Sequence, residues 1–139
     1  MNFKDAKQLS DLSLALANQK KVAIAISVAD SHGELVMYHK MDAVSYHAAY
    51  LSQCKAYTAA REMLTSSQVG AYAKNTAKDL ANWCDSKITG IAGGVPIFSG
   101  YKVIGSLGIA GLKEAEDEEF AYEVIKNFSN TNSYKKVIT

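Results

Sequence analysis

Cysteine and proline are scarce in this chain. Its 139 residues include two cysteines and one proline. Cys54 and Cys84 lie 30 positions apart and form no CxxC pair, which excludes a disulfide framework and argues against a thiol redox motif. We therefore expect two buried, reduced thiols.

The chain also lacks an excess of charge of either sign, and it lacks long apolar runs. Its 15 basic and 14 acidic residues leave a formal net charge of +1, without the basic footprint of proteins that bind nucleic acid or anionic membranes. No apolar run has the length of a membrane span and no signal-peptide pattern is seen, so we expect a cytoplasmic location. The length predicts one domain, residues 1–128, with a tail over 129–139 that is frayed or packed on a partner.

The spacing of apolar residues changes between helical and strand periods along the chain. Residues 22–29 alternate Val and Ile with Ala and Ser, which predicts a strand with one bulky and one small face. A helix capped by Ser45 has a stripe of small residues, so we expect it to pack closely on that small face. The predicted elements are helices over 2–18, 45–61, 67–84 and 114–127, and strands over 22–29, 35–41, 88–92, 95–98 and 103–109. Their order, α-ββ-α-α-ββ(β)-α, predicts an α+β fold with an antiparallel sheet of about five strands flanked by helices.

Glycine is concentrated in one stretch of the second half. Seven of the nine glycines and Pro96 lie between Gly90 and Gly111. Two short apolar runs separated by Ser99-Gly100-Tyr101-Lys102 predict a β-hairpin, with the proline near the start of a strand. The pair Gly93-Gly94 indicates a place where another segment or a ligand comes close to the main chain.

The run from Gly105 to Gly111 stands between a strand and a helix, as a nucleotide-binding loop does. Its spacing is GxxGxxG rather than GxGxxG, and no parallel strand follows. The next helix opens with five carboxylates between Glu114 and Glu119, which repel a pyrophosphate. We therefore assign these glycines to close strand–helix packing.

The three histidines carry no metal-binding spacing. His32, His39 and His47 form neither HxxxH nor HExxH, and no Cys–His cluster is seen, so we predict no metal site. An isolated histidine is either an axial haem ligand or a solvent-facing side chain, and the sequence supplies no second ligand that would favour the first role.

The candidates for acid–base catalysis are Asp42, Lys55 and Asp117. Asp42 lies at the end of a predicted strand, and Lys55 lies among alanines on the second long helix. A lysine among small residues is either partly desolvated and functional, or it extends its ammonium to solvent while its stem is packed. No nucleophile–base pair, GxSxG motif or paired carboxylate motif decides between these alternatives.

Five segments and one aspartate occur in a fixed order between residues 30 and 121. They are Asp30-Ser31-His32-Gly33-Glu34-Leu35-Val36, Lys40-Met41-Asp42-Ala43, Lys55-Ala56-Tyr57-Thr58-Ala59, Gly93-Gly94-Val95-Pro96-Ile97, the run Val103-Ile104-Gly105-Ser106-Leu107-Gly108-Ile109-Ala110-Gly111, and Asp117. In these motifs the chain resembles the GlcG/HbpS family, which includes the C-terminal domain of PduO-type cobalamin adenosyltransferases.

The resemblance implies a profilin-like α+β fold and a homo-oligomer. Family members are associated with haem binding and with glycolate, glycerol or diol utilisation, and most have no established catalytic activity. The resemblance places no haem ligand on a residue of this chain. The positions that it implies for one ligand pocket are Asp42, Lys55, Thr58, Gly93, Gly94, Pro96, Gly108, Gly111 and Asp117.

The chain departs from the family pattern at several positions. Lys40 stands where an arginine is usual, which replaces a bidentate guanidinium by an ammonium and weakens any carboxylate clamp. Ala43 stands in place of glycine and Ala110 in place of serine. The segment between Thr65 and Ile88 has a helix-like pattern instead of the usual loop.

Three functions follow as hypotheses. The first is a small-ligand-binding or accessory protein with a pocket between the glycine-rich hairpin and helix 45–61, for a small carboxylate or polyol or for a tetrapyrrole such as haem. The second is an acid–base enzyme of lyase or isomerase type, in which Asp42 and Lys55 act on a small polyol or hydroxy acid. The third is a structural subunit without a pocket.

Overall fold

One antiparallel sheet with helices on both faces forms the fold. The computed structural model describes residues 1–132. Its elements are α1 (Phe3–Lys20), β1 (Ala25–Asp30), β2 (Leu35–Lys40), α2 (Tyr46–Glu62), α3 (Ser66–Asn75), a 3₁₀ turn (Leu80–Trp83), β3 (Gly94–Ser99), β4 (Lys102–Ala110) and α4 (Glu114–Thr131). The α+β class and the order of helices and hairpins are confirmed.

The sheet has the strand order β2-β1-β4-β3, and every neighbouring pair is antiparallel. In its register Ser27 of β1 lies opposite Gly108 of β4, and Gly108 lies opposite Gly94 of β3. Three small residues therefore form a row across the middle of the sheet. This row faces α2, whose backbone comes close to it.

The bulky face of the sheet carries the main core. Ile24, Ile26 and Val28 point into a cluster with Leu107 and Ile109, which α1 and α4 cover. The α4 side chains in this cluster are Phe120, Ala121, Val124, Ile125 and Phe128. Burial of this many large apolar side chains supplies most of the driving force for folding.

The small face of the sheet packs directly on α2, as the alternation in residues 22–29 predicts. The Ser27 and Ser52 hydroxyls are hydrogen-bonded at 2.8 Å, and the Ser106 hydroxyl donates to the Ala56 carbonyl at 2.5 Å. A Cβ on Gly108 would overlap the Ser52 carbonyl oxygen. Helix α2 begins after Ser45, whose side chain accepts from the Ala48 N–H at 3.1 Å.

The predicted third helix over 67–84 is shorter in the structure. Helix α3 ends at Asn75, and Ala77 has a positive φ of 54° that a continuing α-helix does not allow. Asp79 then caps a separate 3₁₀ turn by accepting from the Ala81 N–H at 2.8 Å. The end of α3 is closed by backbone bonds around Ala77, since the Lys78 N–H donates to the Ala73 carbonyl at 2.9 Å.

The strand predicted over 88–92 is absent, so the described residues form four strands rather than five. Backbone donors in this segment bond to side chains instead of a neighbouring strand. The Thr89 N–H donates to Thr58 Oγ1 at 3.0 Å, and the Ile91 N–H donates to Thr89 Oγ1 at 3.2 Å. Because no neighbouring strand pairs with it, the segment over 88–92 remains irregular.

Two further expectations change at the level of single residues. Cys54 is buried as expected, but Cys84 is exposed at the end of the 3₁₀ turn. Helix α4 continues beyond Asn127 to Thr131, because Phe128 remains part of the core. The rest of the predicted tail, residues 133–139, lies outside the described residues.

No helix among residues 1–132 combines the length and the apolar character that crossing a membrane requires.

We predict that Gly108→Ala destabilises the fold by about 1–3 kcal/mol or more, because the new methyl group would overlap the α2 backbone. Urea unfolding followed by circular dichroism measures the difference. Gly100→Asn is the matched control, since a Cβ at Gly100 meets nothing within 4 Å and asparagine tolerates its φ of 65°. Equal stability of Gly108→Ala and the native chain would contradict close packing of α2.

Candidate functional site

A buried ion pair joins α2 to the start of α4. The Lys55 ammonium lies 2.9 Å from Asp117 Oδ2 and donates to the Ile109 carbonyl oxygen at 3.0 Å. Asp117 Oδ1 accepts from the Leu112 N–H at 3.0 Å. Lys55 is 1% exposed and Asp117 is 2% exposed. The pair therefore connects α2, the end of β4 and the first turn of α4.

The environment of Asp117 acts on its acidity in two directions. Burial raises the pKa of this carboxyl group, and the Lys55 ammonium together with the Leu112 N–H offsets part of the rise. Since solvent does not reach either side chain, the geometry assigns the pair to holding the fold together. A buried pair of this kind is costly to break because the remaining charge has no partner.

At three of the predicted pocket glycines, α2 packs directly against the sheet. A Cβ on Gly93 would lie 2.8 Å from Lys55 Nζ, and one on Gly94 would overlap the Lys55 carbonyl oxygen. Gly108 stands in the same relation to Ser52. The α2 backbone thus fills the space beside Gly94 and Gly108, and the Lys55 side chain and the Ile109 carbonyl fill it beside Gly93, where the first hypothesis expects a ligand.

The other predicted site residues lie in different surroundings. Thr58 Oγ1 accepts from the Thr89 N–H and donates to the Lys87 carbonyl at 3.4 Å, which holds the segment before β3 on α2. Pro96 is buried in β3 opposite Ser106, and Gly111 follows β4 with a φ of 125°. A ligand contact at any of these positions stays a prediction.

Asp42 does not meet Lys55. It is exposed after β2, in an open groove shared with Leu14, His39, Lys40 and Met41. The carboxylate that pairs with Lys55 is Asp117. The geometry therefore lends no support to a catalytic pair of Asp42 and Lys55.

A cavity of about 580 Å³ lies beside α2, next to the turn between β1 and β2. We call it the α2 cavity. Its walls are the turn between β1 and β2, the outer face of α2, and the segment before β3. The lining residues are His32, Gly33, Glu34, Leu35, Tyr50, Gln53, Cys54, Tyr57, Arg61 and Lys87.

The α2 wall of this cavity is one helical face. Tyr50, Cys54, Tyr57 and Arg61 follow at intervals of four, three and four residues, which places them on one side of the helix. Sequence reasoning identifies the stripe of small residues on α2, but it misses this second stripe on the same helix. The tyrosines and the arginine at helical spacing are the signal that could have found it.

Tyr57 is at the centre of a polar cluster in the α2 cavity. Its hydroxyl donates to Asp85 Oδ2 at 2.5 Å, and the Lys87 N–H donates to Asp85 Oδ1 at 3.0 Å. The phenol hydrogen bond, followed by the Lys87 N–H, lowers the pKa of Asp85, and the bond to Asp85 raises the pKa of Tyr57. At neutral pH the carboxylate is therefore ionised and the phenol is neutral.

Cys54 lies deeper in the same wall and is 7% exposed. Burial raises the pKa of its thiol, and the side-chain hydrogen bond with Tyr50 partly opposes the rise. The same hydrogen bond is the largest cause of a raised pKa at Tyr50. Both groups therefore hold their protons at neutral pH.

The donor set of the α2 cavity suits haem better than a bare metal ion. Imidazole, thiolate and phenolate are the side-chain groups that ligate haem iron, and His32, Cys54 and Tyr50 offer these types here. Within residues 1–132, no three His, Cys, Asp or Glu side chains cluster as ligands for a metal ion. Arg61 and Lys87 add cations that bind carboxylates.

Comparison with known proteins shows the family of this chain. A family model described as haem degrading protein HbpS-like matches residues 1–126. The chain belongs to this family, and the resemblance inferred from its motifs is confirmed. The corrinoid adenosyltransferase PduO of Salmonella typhimurium is 24% identical over 127 residues, which cover 90% of this chain and 38% of PduO. This chain thus spans 38% of the length of that curated relative.

Solved structures share the fold. The protein ORFY of Klebsiella pneumoniae has a TM-score of 0.83 at 23% identity, with 93% of this chain and 90% of that chain covered. PduOC in complex with haem has a TM-score of 0.82 at 23% identity, with coverages of 91% and 93%. At these identities the likeness establishes the architecture, and it adds that one protein of this architecture binds haem.

We predict that Lys55→Met and Asp117→Leu each destabilise the chain by about 3–5 kcal/mol, because each leaves an uncompensated buried charge. The double variant should lose less than the sum of the two. Urea unfolding of all four chains measures this coupling. Lys7→Met, in the exposed pair with Asp11, is the control and should cost about 0.5 kcal/mol or less. A Lys55→Met chain as stable as the native one would contradict a stabilising role of the buried ion pair.

We also predict slow alkylation of Cys54. Its raised pKa lowers the thiolate fraction at any given pH, so the midpoint of its reaction with iodoacetamide should lie at higher pH than that of a free thiol. Mass spectrometry of the single-cysteine variants Cys84→Ser and Cys54→Ser follows each thiol separately. The exposed Cys84 should react first, and equal rates at pH 8 would contradict a protonated, enclosed Cys54.

Proposed function

We propose that this chain binds haem, or a related tetrapyrrole with carboxylate side chains, in the α2 cavity. The observation that carries the proposal is the lining of one cavity. It contains side chains of the types that ligate haem iron, which are an imidazole, a thiol and a phenol, together with two cations. Its volume of about 580 Å³ falls within the usual range for small-molecule sites. The family to which this chain belongs is described as haem degrading protein HbpS-like, and this description supports the same ligand.

In this proposal His32 would hold the haem iron. Iron binds an imidazole without removing a proton from the coordinating nitrogen, whereas the Cys54 thiol and the Tyr50 phenol would both have to ionise first. Burial raises the pKa of the Cys54 thiol, and the hydrogen bond with Cys54 raises the pKa of the Tyr50 phenol. Haem would supply its iron chemistry when bound, and this chain would position it between Leu35 and the rings of α2.

The role of this chain is that of an accessory ligand-binding protein. PduO is named for corrinoid adenosyl transfer, and this chain spans only 38% of its length. The resemblance links the family to glycolate, glycerol or diol utilisation, which is the setting we propose. We also propose assembly with copies of itself, since Tyr46 and Tyr101 are 90% and 97% exposed.

Titration with ferric haem tests the proposal. We expect the native chain to bind it with a shifted Soret band, and His32→Ala to weaken binding about tenfold or more and to change the band position, because the iron loses its protein ligand. His47→Ala, at an exposed histidine in the first turn of α2, is the matched control and should bind as the native chain does.

Two outcomes would contradict the proposal. A native chain without any Soret change would remove haem as a ligand. A loss of binding in His47→Ala but not in His32→Ala would place the ligand elsewhere on α2.

A further inference from the structure

Two cations in the α2 cavity are held over a single aromatic ring. The Arg61 guanidinium carbon lies 5.1 Å from the Tyr57 ring centroid, and the Lys87 ammonium lies 5.2 Å from the same centroid. Both contacts are in the range of cation–π attraction. Two positive charges therefore lie next to the same ring.

Further hydrogen bonds hold the Arg61 side chain and the Lys87 backbone in place. Arg61 Nη1 donates to the His32 carbonyl oxygen at 3.2 Å, which ties the guanidinium to the turn between β1 and β2. The Lys87 backbone is bonded to Asp85 through its N–H and to Thr58 through its carbonyl. The two charges thus sit on separate, anchored walls of one cavity.

Neither cation is in an ion pair. Among residues 1–132 the ion pairs within 4 Å are Lys7–Asp11, Lys20–Glu123 and Lys55–Asp117. Two acids are nearby. Asp85 accepts hydrogen bonds from the Tyr57 hydroxyl and the Lys87 N–H, and besides these bonds the charges of Arg61 and Lys87 lower its pKa. Glu34 lines the cavity without pairing with either cation. Since Asp85 interacts with both cations only from beyond ion-pair distance, Arg61 and Lys87 can still bind an anionic ligand.

We infer that Arg61 and Lys87 each bind one carboxylate of the ligand, so that the α2 cavity selects a tetrapyrrole with two carboxylates over a corrinoid that carries amides. This inference rests on the proposed function and specifies its ligand class. A guanidinium and an ammonium gain strongly from carboxylates and little from neutral amides. Two cations at fixed positions match two acid groups on one macrocycle edge.

The test compares ferric haem with its dimethyl ester, which has the same ring and iron but no carboxylates, and with cobinamide as the amide-bearing corrinoid. The native chain should bind haem about tenfold more tightly than the ester, and cobinamide more weakly than haem. Arg61→Gln and Lys87→Gln should each weaken haem binding about three- to fivefold, and together about tenfold, without changing the affinity for the ester.

The dependence of haem affinity on ionic strength is a second measurement. A purely structural role of the two cations would not affect it. Haem affinity of the native chain should fall as ionic strength rises, and this dependence should be smaller in the double variant. Arg61→Lys, which keeps the charge, should retain most of the preference for haem. Lys4→Gln is the control, because this exposed lysine on α1 borders a groove that shares no residue with the α2 cavity.

The possible outcomes distinguish recognition of the carboxylates from the binding of haem itself. Equal affinities for haem and its ester, or variants that weaken both equally, would overturn carboxylate recognition while haem binding stands. Tighter binding of cobinamide than of haem would overturn the ligand class. A native chain that binds none of the three compounds would end the proposed function itself.

Discussion

The close approach of the α2 backbone to the sheet is the constraint on which the rest of the structure depends. Ser27, Gly108 and Gly94 form a row without bulk across three strands, and the helix rests on this row. Side chains larger than serine would hold α2 away from the sheet, as the overlap at Gly108 indicates. With its small face pressed on the sheet, α2 turns its tyrosines, Cys54 and Arg61 outward to form a cavity wall.

The buried Lys55–Asp117 pair follows from the same constraint. Lysine on the inner side of α2 cannot reach solvent beside Gly93, so its ammonium meets the Ile109 carbonyl and the Asp117 carboxylate. The family motif that contains this lysine therefore has a structural reason in this chain. It attaches α2 to α4, while Tyr50, Cys54, Tyr57 and Arg61 of the same helix line the α2 cavity.

Sequence reasoning predicted the fold better than the site. The small and bulky faces of residues 22–29 and the hairpin around Gly100 determine where helices and strands lie, because these signals are local. The segment over 67–92 was predicted less well, since its ends depend on the Asp79 cap and on Thr58 reaching Thr89. The sequence makes Asp42, Lys55 and Asp117 candidates and the enzyme hypothesis pairs Lys55 with Asp42, whereas the structure pairs Lys55 with Asp117.

The sequence by itself determined the class of fold, the close-packed helix and the family, because periodicity, glycine placement and ordered motifs are properties of the chain alone. Only the tertiary structure decided that α2 fills the space beside Gly93 and Gly94, and that Arg61, Lys87 and His32 line one cavity with Tyr57. These three come from α2, the segment before β3 and the turn after β1. Contacts between residues so far apart in the chain depend on how the elements pack, which no spacing in the sequence encodes.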